Sequence, residues 1–327
     1  MWSYCIRKLI YNIPVYLAII MLVMAALRVR DPVHGHLGKN AKPEDIQRLR
    51  AEMGLDQPFL VQYFNFLRTF DWHTDSWLQK GNQVGQIIRR SIGPSLALTL
   101  PALILSTIIS VCIAMVSAFY RGRPLDKLLV FLAVLGMCIS FLVYIIFGQY
   151  YGAYRLNALF NPVDANGQLI NPQRQEIFAI SGYEPGLLNW FRYCLLPVMI
   201  SVIVTIGYDT RFYRAVMVEE SQREYITTAQ AKGASKMKIM FVHMLKNAMI
   251  PIITRVVISL PFLIMGSILL ENFFNIPGMG RELIGAVRGG DFPVVQSLTA
   301  VIAALYIVTI ILTDVCYALV DPRVRLS

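Results

Sequence analysis

Charged residues are scarce in this sequence: they make up 15% of its 327 residues, whereas hydrophobic residues make up 56%. The mean hydropathy is +0.54. A soluble globular domain carries about 25% charged residues, so this composition indicates a membrane protein. The net charge of +10 does not indicate a nucleic-acid partner, because the basic residues are not gathered on a soluble domain with stacking aromatic side chains.

Motifs for nucleotide hydrolysis and for common hydrolases are missing. The sequence has no Gly-x-x-x-x-Gly-Lys-Ser/Thr phosphate loop, no His-Glu-x-x-His and no Gly-x-Ser-x-Gly. We therefore expect a chain that is not an enzyme, has no catalytic residues and binds no cofactor of its own.

Cysteine and histidine are few, and their positions do not indicate a metal site. The five cysteines lie in or beside apolar runs, with no spacing typical of zinc or redox sites. His34 and His36 could ligate a metal, but two histidines in a flexible segment are more often only solvated. We predict neither a disulfide nor a bound metal.

Long apolar runs are what the sequence has in abundance. Six reach the length of about 20 residues that a helix needs to cross the hydrocarbon core. They are Leu9–Leu27, Pro94–Tyr120, Leu125–Gly148, Tyr193–Tyr213, Asn247–Leu270 and Val294–Val320. The first is interpreted as a retained span, because charged residues follow it where a signal peptide would have a cleavage site. The prediction is an all-α membrane protein with six transmembrane helices in a single domain, residues 1–327.

Lysine and arginine placement predicts the orientation. With the N-terminus inside, the inside segments hold 14 of these residues; they are 1–8, 120–127, 209–246 and 321–327. The second and third outside loops, 149–192 and 271–293, together hold 5. The first outside loop, 28–93, is long enough to translocate regardless of its charge. Both termini and the loop 219–246 are therefore expected in the cytoplasm.

That cytoplasmic loop carries the most specific local signals. Ser221 and Glu224 have the spacing of a capping box, and a helix is predicted from Gln222 to Lys232. Gly233 suits the left-handed residue that ends a helix, and a second, basic helix is predicted from near Ser235 into the fifth span. Two short helices meeting at a glycine could dock into a groove of another protein, with Tyr225 and Ile226 filling that groove. The alternative is an amphipathic loop resting on anionic lipid. The residues assigned to docking are Ser221, Glu224, Tyr225, Ile226, Ala229, Ala231, Gly233 and His243.

The outer loops also carry turn and helix signals. Helices are predicted from Pro43 to near Gly54 and from Pro58 onwards, and Asn166-Gly167 is a hairpin signal. After the fifth span, Glu-x-x-Phe-x-x-Pro-Gly-x-Gly predicts a tight turn followed by a short helix over 281–287. Its glycines could let the backbone close the outer mouth of a pathway, or the turn could have no gating role. The residues of this outer-mouth turn are Glu271, Phe274, Pro277, Gly278 and Gly280.

Two ionisable residues, Arg255 and Asp314, fall well inside apolar runs. A charge facing lipid is costly, so each should face protein or water, or extend towards the membrane surface. We expect a structural ion pair between the two, with such extension and a direct role in transport gating as the alternatives.

The sequence resembles importer-type ABC transporter permeases, in particular the dipeptide/oligopeptide/nickel branch. Thr227 to Gly233, His243 and Asn247 to Pro251 are similar to the coupling motif of that family, with Thr227 and Thr228 in place of Glu-Ala and Lys246 in place of a proline. Similar to the same branch are the outer-mouth pattern, the sequence Asp321-Pro322-Arg323-Val324-Arg325, and Gly54 to Pro58. The resemblance covers nearly the whole chain.

This resemblance implies an importer-type ABC permease fold in the cytoplasmic (inner) membrane, with structured outer loops. It also implies the partners: a second homologous permease subunit, two ATP-binding subunits that hold ATP and Mg, an extracytoplasmic substrate-binding protein, and membrane lipid. The implied cargo is di- or oligopeptides, or alternatively nickel or another metal chelate. A self-sufficient secondary transporter or channel is the rival class, and it would predict inverted repeats and more intramembrane carboxylates.

Overall fold

The computed structural model describes residues 2–29, 42–160, 176–265 and 268–320, and these ranges are predominantly helical. Within them β-structure is limited to one isolated bridge, between Asp75 and Gln83. The α-helices, in chain order, are α1 Trp2–Leu27, α2 Pro43–Glu52, α3 Phe59–Thr69, α4 Val84–Phe119, α5 Pro124–Cys138, α6 Phe141–Phe147, α7 Leu156–Phe160, α8 Leu187–Tyr193, α9 Leu195–Ser221, α10 Glu224–Ala231, α11 Lys236–Lys238, α12 Leu245–Met265, α13 Ile268–Phe273, α14 Met279–Gly289 and α15 Phe292–Val320. Two π-helical turns, Gly148–Arg155 and Ile239–Met244, join α6 to α7 and α11 to α12.

In the described part of the chain, five helices are long and apolar enough to cross a membrane, or six if one bent pair counts as a span. The five lie in Ile6–Leu27, Val84–Phe119, Leu195–Ser221, Lys236–Ser259 and Phe292–Val315. The prediction of an all-α membrane protein is confirmed. The second predicted span began at Pro94, but its helix starts ten residues earlier, because prolines 94 and 101 are accommodated inside it.

The third predicted span, Leu125–Gly148, is not a continuous helix. Its two halves, α5 and the segment Phe141–Phe160, meet at an angle of 93°. At the corner Ile139 and Ser140 adopt extended backbone conformations, and the Tyr144 hydroxyl donates a hydrogen bond (3.1 Å) to the Gly136 carbonyl near the end of α5. Hydropathy is uniform across this corner, so the apolar run alone could not indicate it.

The pair α4 and α9 forms the most extensive contact between helices. Small side chains on α4, including Ser106, Ser110 and Ala114, are buried. Small residues let two helix backbones approach closely, which is how membrane helices gain contact without a hydrophobic driving force. This pair is the centre of the bundle.

The helix ends sort into two faces, and the 36-residue α4, about 54 Å long, runs between them. At the face that we call outer, the end of α1 and the starts of α4 and α15 share one apolar cluster. At the opposite, inner face, the end of α4 packs against residues 226–252. Lys8 of α1 forms an ion pair with Asp314 of α15, far along each helix from the outer cluster. The first and last helices therefore have their chain-terminal ends on the same side as the loop after α9.

The predicted outer helices are present as α2, α3 and α14. The apolar side chains of α3 differ in exposure. Tyr63 and Phe66 are buried against α1, whereas Leu60 and Phe64 are exposed. The hairpin predicted at Asn166-Gly167, the histidines His34 and His36, and the motif 321–325 lie outside the described residues.

Candidate functional site

The loop between α9 and α12, residues 221–246, folds into a compact helical element that we call the loop unit. α10 ends before Gly233, whose φ of 77° lies in the left-handed region as predicted. Ser235 caps the next helix, its hydroxyl accepting a hydrogen bond from the Lys238 backbone N–H at 3.4 Å. From there the chain is helical through the π-helical turn into α12 without a break.

The predicted capping box between Ser221 and Glu224 is wrong. Ser221 is still part of α9, and its hydroxyl donates to the Val218 carbonyl at 2.7 Å. Arg223 occupies the N-cap position of α10, and its side chain makes no capping bond. Because α9 extends further than the apolar run suggested, Ser221 is inside a helix where the spacing rule expects it to begin one.

One side of the loop unit is buried within the chain itself. Ile226 and Ala229 are 3% and 7% exposed, and they share an apolar cluster with Tyr213 and Met217 of α9 and with residues from the end of α4. Ile226 was expected to enter a partner's groove, and that expectation is wrong: this side chain fixes the unit to its own bundle.

The other side of the loop unit is exposed. It carries the side chains of Glu224 and Ala231, the backbone at Gly233, and three apolar side chains that are 46–61% exposed. Those three are Met237, Phe241 and Val242. Lys232, Lys236 and Lys238 are exposed beside them. The unit thus offers a mixed apolar and basic surface to whatever lies beyond the inner face.

Tyr225 and His243 lie at the edge between these two sides, and both are partly buried. The Tyr225 hydroxyl donates to the Glu220 carboxylate of α9. Burial, followed by this hydrogen bond, raises the pKa of Tyr225 to about 12, so the phenol stays protonated. Tyr225 therefore holds the start of α10 against the end of α9. His243 belongs to the π-helical turn, and its carbonyl accepts from the Asn247 side chain at 3.0 Å.

A buried ion pair near the loop unit was not predicted from the sequence. Arg214 of α9 forms two hydrogen bonds of 2.8 Å to the buried carboxylate of Asp126 in α5. The Ser117 hydroxyl of α4 donates to the same carboxylate at 2.5 Å. Three helices are tied together at their inner ends by this group. The sequence offers an aspartate in the first turn of α5 and an arginine 88 residues further along the chain. A single sequence does not show that these two side chains form an ion pair.

The outer-mouth turn is built around the carboxylate of Glu271, which is fully buried. It accepts hydrogen bonds from the Ser95 hydroxyl of α4 at 2.7 Å and from the Arg281 backbone N–H at 3.0 Å. Burial outweighs these bonds and raises the pKa of Glu271 above its ordinary value. Gly278 passes so close that an added Cβ would lie 2.3 Å from the carboxyl carbon. Only glycine fits there.

The other predicted residues of this turn follow Glu271 closely in the chain. Phe274 is 1% exposed, and its carbonyl accepts a hydrogen bond from the Gly182 N–H at 2.8 Å. Pro277 is partly buried and Gly280 is buried, with Ile268 and Glu271 as the nearest neighbours of a Cβ built on Gly280. All five predicted residues thus lie in one turn, which contacts α4 through Ser95 and the second outside loop through Gly182.

The predicted ion pair between Arg255 and Asp314 is wrong. Arg255 of α12 contacts Asp209 of α9, its Nε lying 3.4 Å from Oδ1, and its guanidinium stacks over the Phe212 ring. Asp314 pairs with Lys8 instead. Each charge pairs with a residue on a helix that its own helix contacts, α9 for α12 and α1 for α15, although α12 also contacts α15. The expectation that each would face protein holds.

Taken together, the fold and its sites define a multi-pass α-helical membrane protein with a helical unit on one face and a closed turn on the other. Residues 110–326 match the family described as binding-protein-dependent transport system inner membrane component, and residues 1–81 match the N-terminal family of the same membrane components. The chain belongs to this family of importer-type permeases. It is a transport component of the inner membrane.

Relatives extend over the full length of the chain. A protein of Brucella suis biovar 1 (strain 1330), named as a "putative peptide permease protein", is 32% identical over 333 residues, covering 100% of both chains. A "probable peptide ABC transporter permease protein" of Sinorhizobium fredii is 29% identical, covering 99% of this chain and 100% of its own. The dipeptide transport system permease protein DppB of Alkalihalophilus pseudofirmus is 28% identical, with the same coverage.

Proposed function

We propose that this chain is the membrane-spanning permease subunit of an ATP-driven, binding-protein-dependent importer for di- or oligopeptides. It forms half of the translocation pathway, together with a second homologous permease subunit. The family membership supports the class of transport system, and the names of the three relatives support peptides as the cargo. Two ATP-binding subunits, holding ATP and Mg, and an extracytoplasmic binding protein complete the assembly.

The observation that carries the mechanism is the two-sided construction of the loop unit. Its buried side is fixed to α4 and α9, and its C-terminal end is continuous with α12. Its exposed side offers Met237, Phe241 and Val242 among lysines. A displacement of a partner docked on this side would be transmitted to α9 and α12, which would tilt between two packings of the bundle.

The position of the loop unit in the cytoplasm is part of this proposal. It rests on the lysine and arginine distribution, and on the location of the unit at the same face as the chain-terminal ends of α1 and α15. Labelling from the two sides of the membrane tests it: Lys236 should react from the cytoplasmic side, and reaction from the outside would contradict the proposal.

The coupling role is tested with Glu224→Lys and Gly233→Pro in the assembled, reconstituted complex. Glu224 is exposed, so its replacement reverses a surface charge without disturbing the core. Proline at 233 cannot adopt the positive φ and removes the N–H that bonds to the Gln230 carbonyl. Both variants should insert into the membrane normally and lose substrate-stimulated ATP hydrolysis.

Glu44→Lys is the matched control, because Glu44 is also an exposed glutamate in the first turn of a helix, but in the outer α2. It should keep wild-type stimulation. Normal stimulation in both loop-unit variants would remove the coupling assignment. Co-purification of ATPases distinguishes this function from a self-sufficient transporter, and the ligand carried by the binding protein distinguishes peptide from nickel chelate.

A further inference from the structure

A cavity of about 290 Å³ opens at the outer end of the bundle, away from the outer-mouth turn. Its walls come from four parts of the chain: Met24 of α1, residues 62–66 of α3, the loop 71–77, and the first turns of α15 from Phe292 to Gln296. Residues 53–57, between α2 and α3, complete the rim. Neither the family motifs nor the proposed mechanism gives this cavity a role.

Asp71 is the one charged residue among the described residues that line the cavity. Burial raises the pKa of Asp71 above its ordinary value, and the neighbouring Thr69 and Thr74 side chains oppose that rise. In the described part of the chain the lysine and arginine ion pairs involve other carboxylates. The cavity thus holds a partly desolvated carboxyl group beside two neutral side chains, Thr69 and Thr74.

Two amide side chains that line the cavity, those of Gln62 and Asn65, each donate one hydrogen bond to Gln57. Gln62 uses its Nε2 to donate to the Gln57 carbonyl at 2.9 Å, and Asn65 uses its Nδ2 to donate to Gln57 Oε1 at 3.1 Å. These bonds take one of the two N–H groups on each amide nitrogen, and the Gln62 and Asn65 side-chain oxygens can accept hydrogen bonds from a ligand.

The backbone holds Asp71 in place by an uncommon conformation. Phe70 and Asp71 have φ values of 54° and 45°, so two consecutive residues other than glycine are left-handed. The Ser297 hydroxyl of α15 donates to the Phe70 carbonyl at 3.1 Å and fixes this turn. Such conformations are costly and concentrate where a side chain is positioned for function.

We propose that this cavity binds a primary ammonium group. The carboxylate of Asp71 supplies the counter-charge, and the oxygens of Gln62 and Asn65 accept its N–H donors. The rings of Phe66, Trp77 and Phe292 line the same space, where aromatic faces attract a cation. The volume suits an alkylammonium ion better than a bare metal ion. The ammonium group belongs either to a free amine or to a lysine side chain of a protein at the outer face.

The test is calorimetric titration of the full chain in nanodiscs of zwitterionic phosphatidylcholine, which removes amine binding to anionic lipid. The probes are cadaverine, with 1,5-pentanediol as its uncharged control, and the peptide acetyl-Gly-Lys-Gly-amide, with Gln in place of Lys as its control. Saturable binding of cadaverine alone assigns a free amine as the ligand. Binding of the lysine peptide assigns a side chain.

Asp71→Asn keeps the shape of the side chain and tolerates the left-handed backbone, so it removes the charge alone. It should weaken binding of the amine roughly tenfold or more. Asp56→Asn, at an exposed acid in the segment 53–57 on the rim of the cavity, is the matched control and should bind as the wild type does.

Asn65→Asp adds a second carboxylate to the cavity and should tighten binding, a gain that misfolding cannot produce. The proposal is overturned if neither amine binds, if the diol binds as well as the amine, or if Asp71→Asn leaves the affinity unchanged.

Discussion

The loop unit and the outer-mouth turn both reverse the chain next to a membrane helix, yet they are stabilised in opposite ways. The loop unit is held by apolar burial, centred on Ile226, and its glycine at 233 has no atom within 4 Å of an added Cβ. The outer-mouth turn is held by a buried carboxylate, and its glycine at 278 has no room for a methyl group.

This difference matches what each region would have to do in a transporter. Apolar packing is non-directional, so the loop unit can stay attached to its bundle while its other side remains open to a partner. A carboxylate with several hydrogen bonds specifies one geometry, so the outer-mouth turn has a single closed arrangement with α4. The following predictions test this contrast, from the largest expected effect to the smallest.

Ile226→Ala should produce the largest loss of stability. Removing a buried isoleucine side chain costs about 3 kcal/mol, from lost burial and the cavity left behind. The measurement is thermal unfolding of the purified chain in detergent. Met237→Ala is the control: its side chain is 61% exposed, so its unfolding should match the wild type. Equal effects of the two changes would show that the unit is not fixed by its apolar side.

Gly278→Ala should destabilise the chain by about 2 kcal/mol, because the new methyl group must displace the Glu271 carboxylate. Gly285→Ala is the matched control on the adjoining α14, where nothing lies within 4 Å of the added carbon. That change should leave stability unchanged or raise it by up to about 1 kcal/mol, because alanine favours helix. A harmless Gly278→Ala would mean that the turn is not closed around Glu271.

Gly233→Ala should cost about 1 kcal/mol, since the only penalty is the left-handed backbone conformation. Gly233→Asn should cost less, because asparagine tolerates this conformation better. The same unfolding measurement applies to both. If alanine at 233 were as harmful as alanine at 278, steric crowding would have to be present at both glycines, contrary to the contrast drawn above.

The outer-mouth turn should also make the stability of the chain depend on pH, an effect smaller than those of the glycine substitutions. Because the pKa of Glu271 is raised, the folded chain keeps this proton at pH values where the unfolded chain has lost it. The free energy of unfolding should therefore fall as pH rises from the ordinary glutamate pKa through the raised one. Unfolding curves across this range should show a weaker fall for Glu271→Gln, while Glu184→Gln, an exposed carboxylate, should behave as the wild type does.

The features that sequence predicted well are those decided by neighbours along the chain. Gly233, the helix start near Ser235 and the helices starting at Pro43 and after Pro58 depend on backbone preferences within one turn. The membrane helices were located because the hydrocarbon core sets a minimum apolar length. Even so, the end of α9 extended past the apolar run, which is why Ser221 was misplaced.

The features that sequence could not predict depend on which helices pack together. Arg255 and Asp314 are each compatible with several partners: α12 contacts both α9 and α15, and the pairing of Arg255 with Asp209 depends on how α12 is rotated between them. The ion pair between Asp126 and Arg214 likewise depends on which helices pack together. The corner at Ser140 is stabilised by a hydrogen bond from Tyr144, which no periodicity in the sequence records.

The π-helical turn Ile239–Met244 has a consequence for how insertions and deletions would be tolerated. Each residue added to or removed from a helix rotates everything beyond it by about 100°. A π-helical turn holds about one residue more than the α-helical turn that it replaces. Deleting one residue from Ile239–Met244 would therefore let the segment close as α-helix and leave Arg255 facing Asp209. The same deletion inside α12, before Arg255, would instead swing Arg255 away from Asp209.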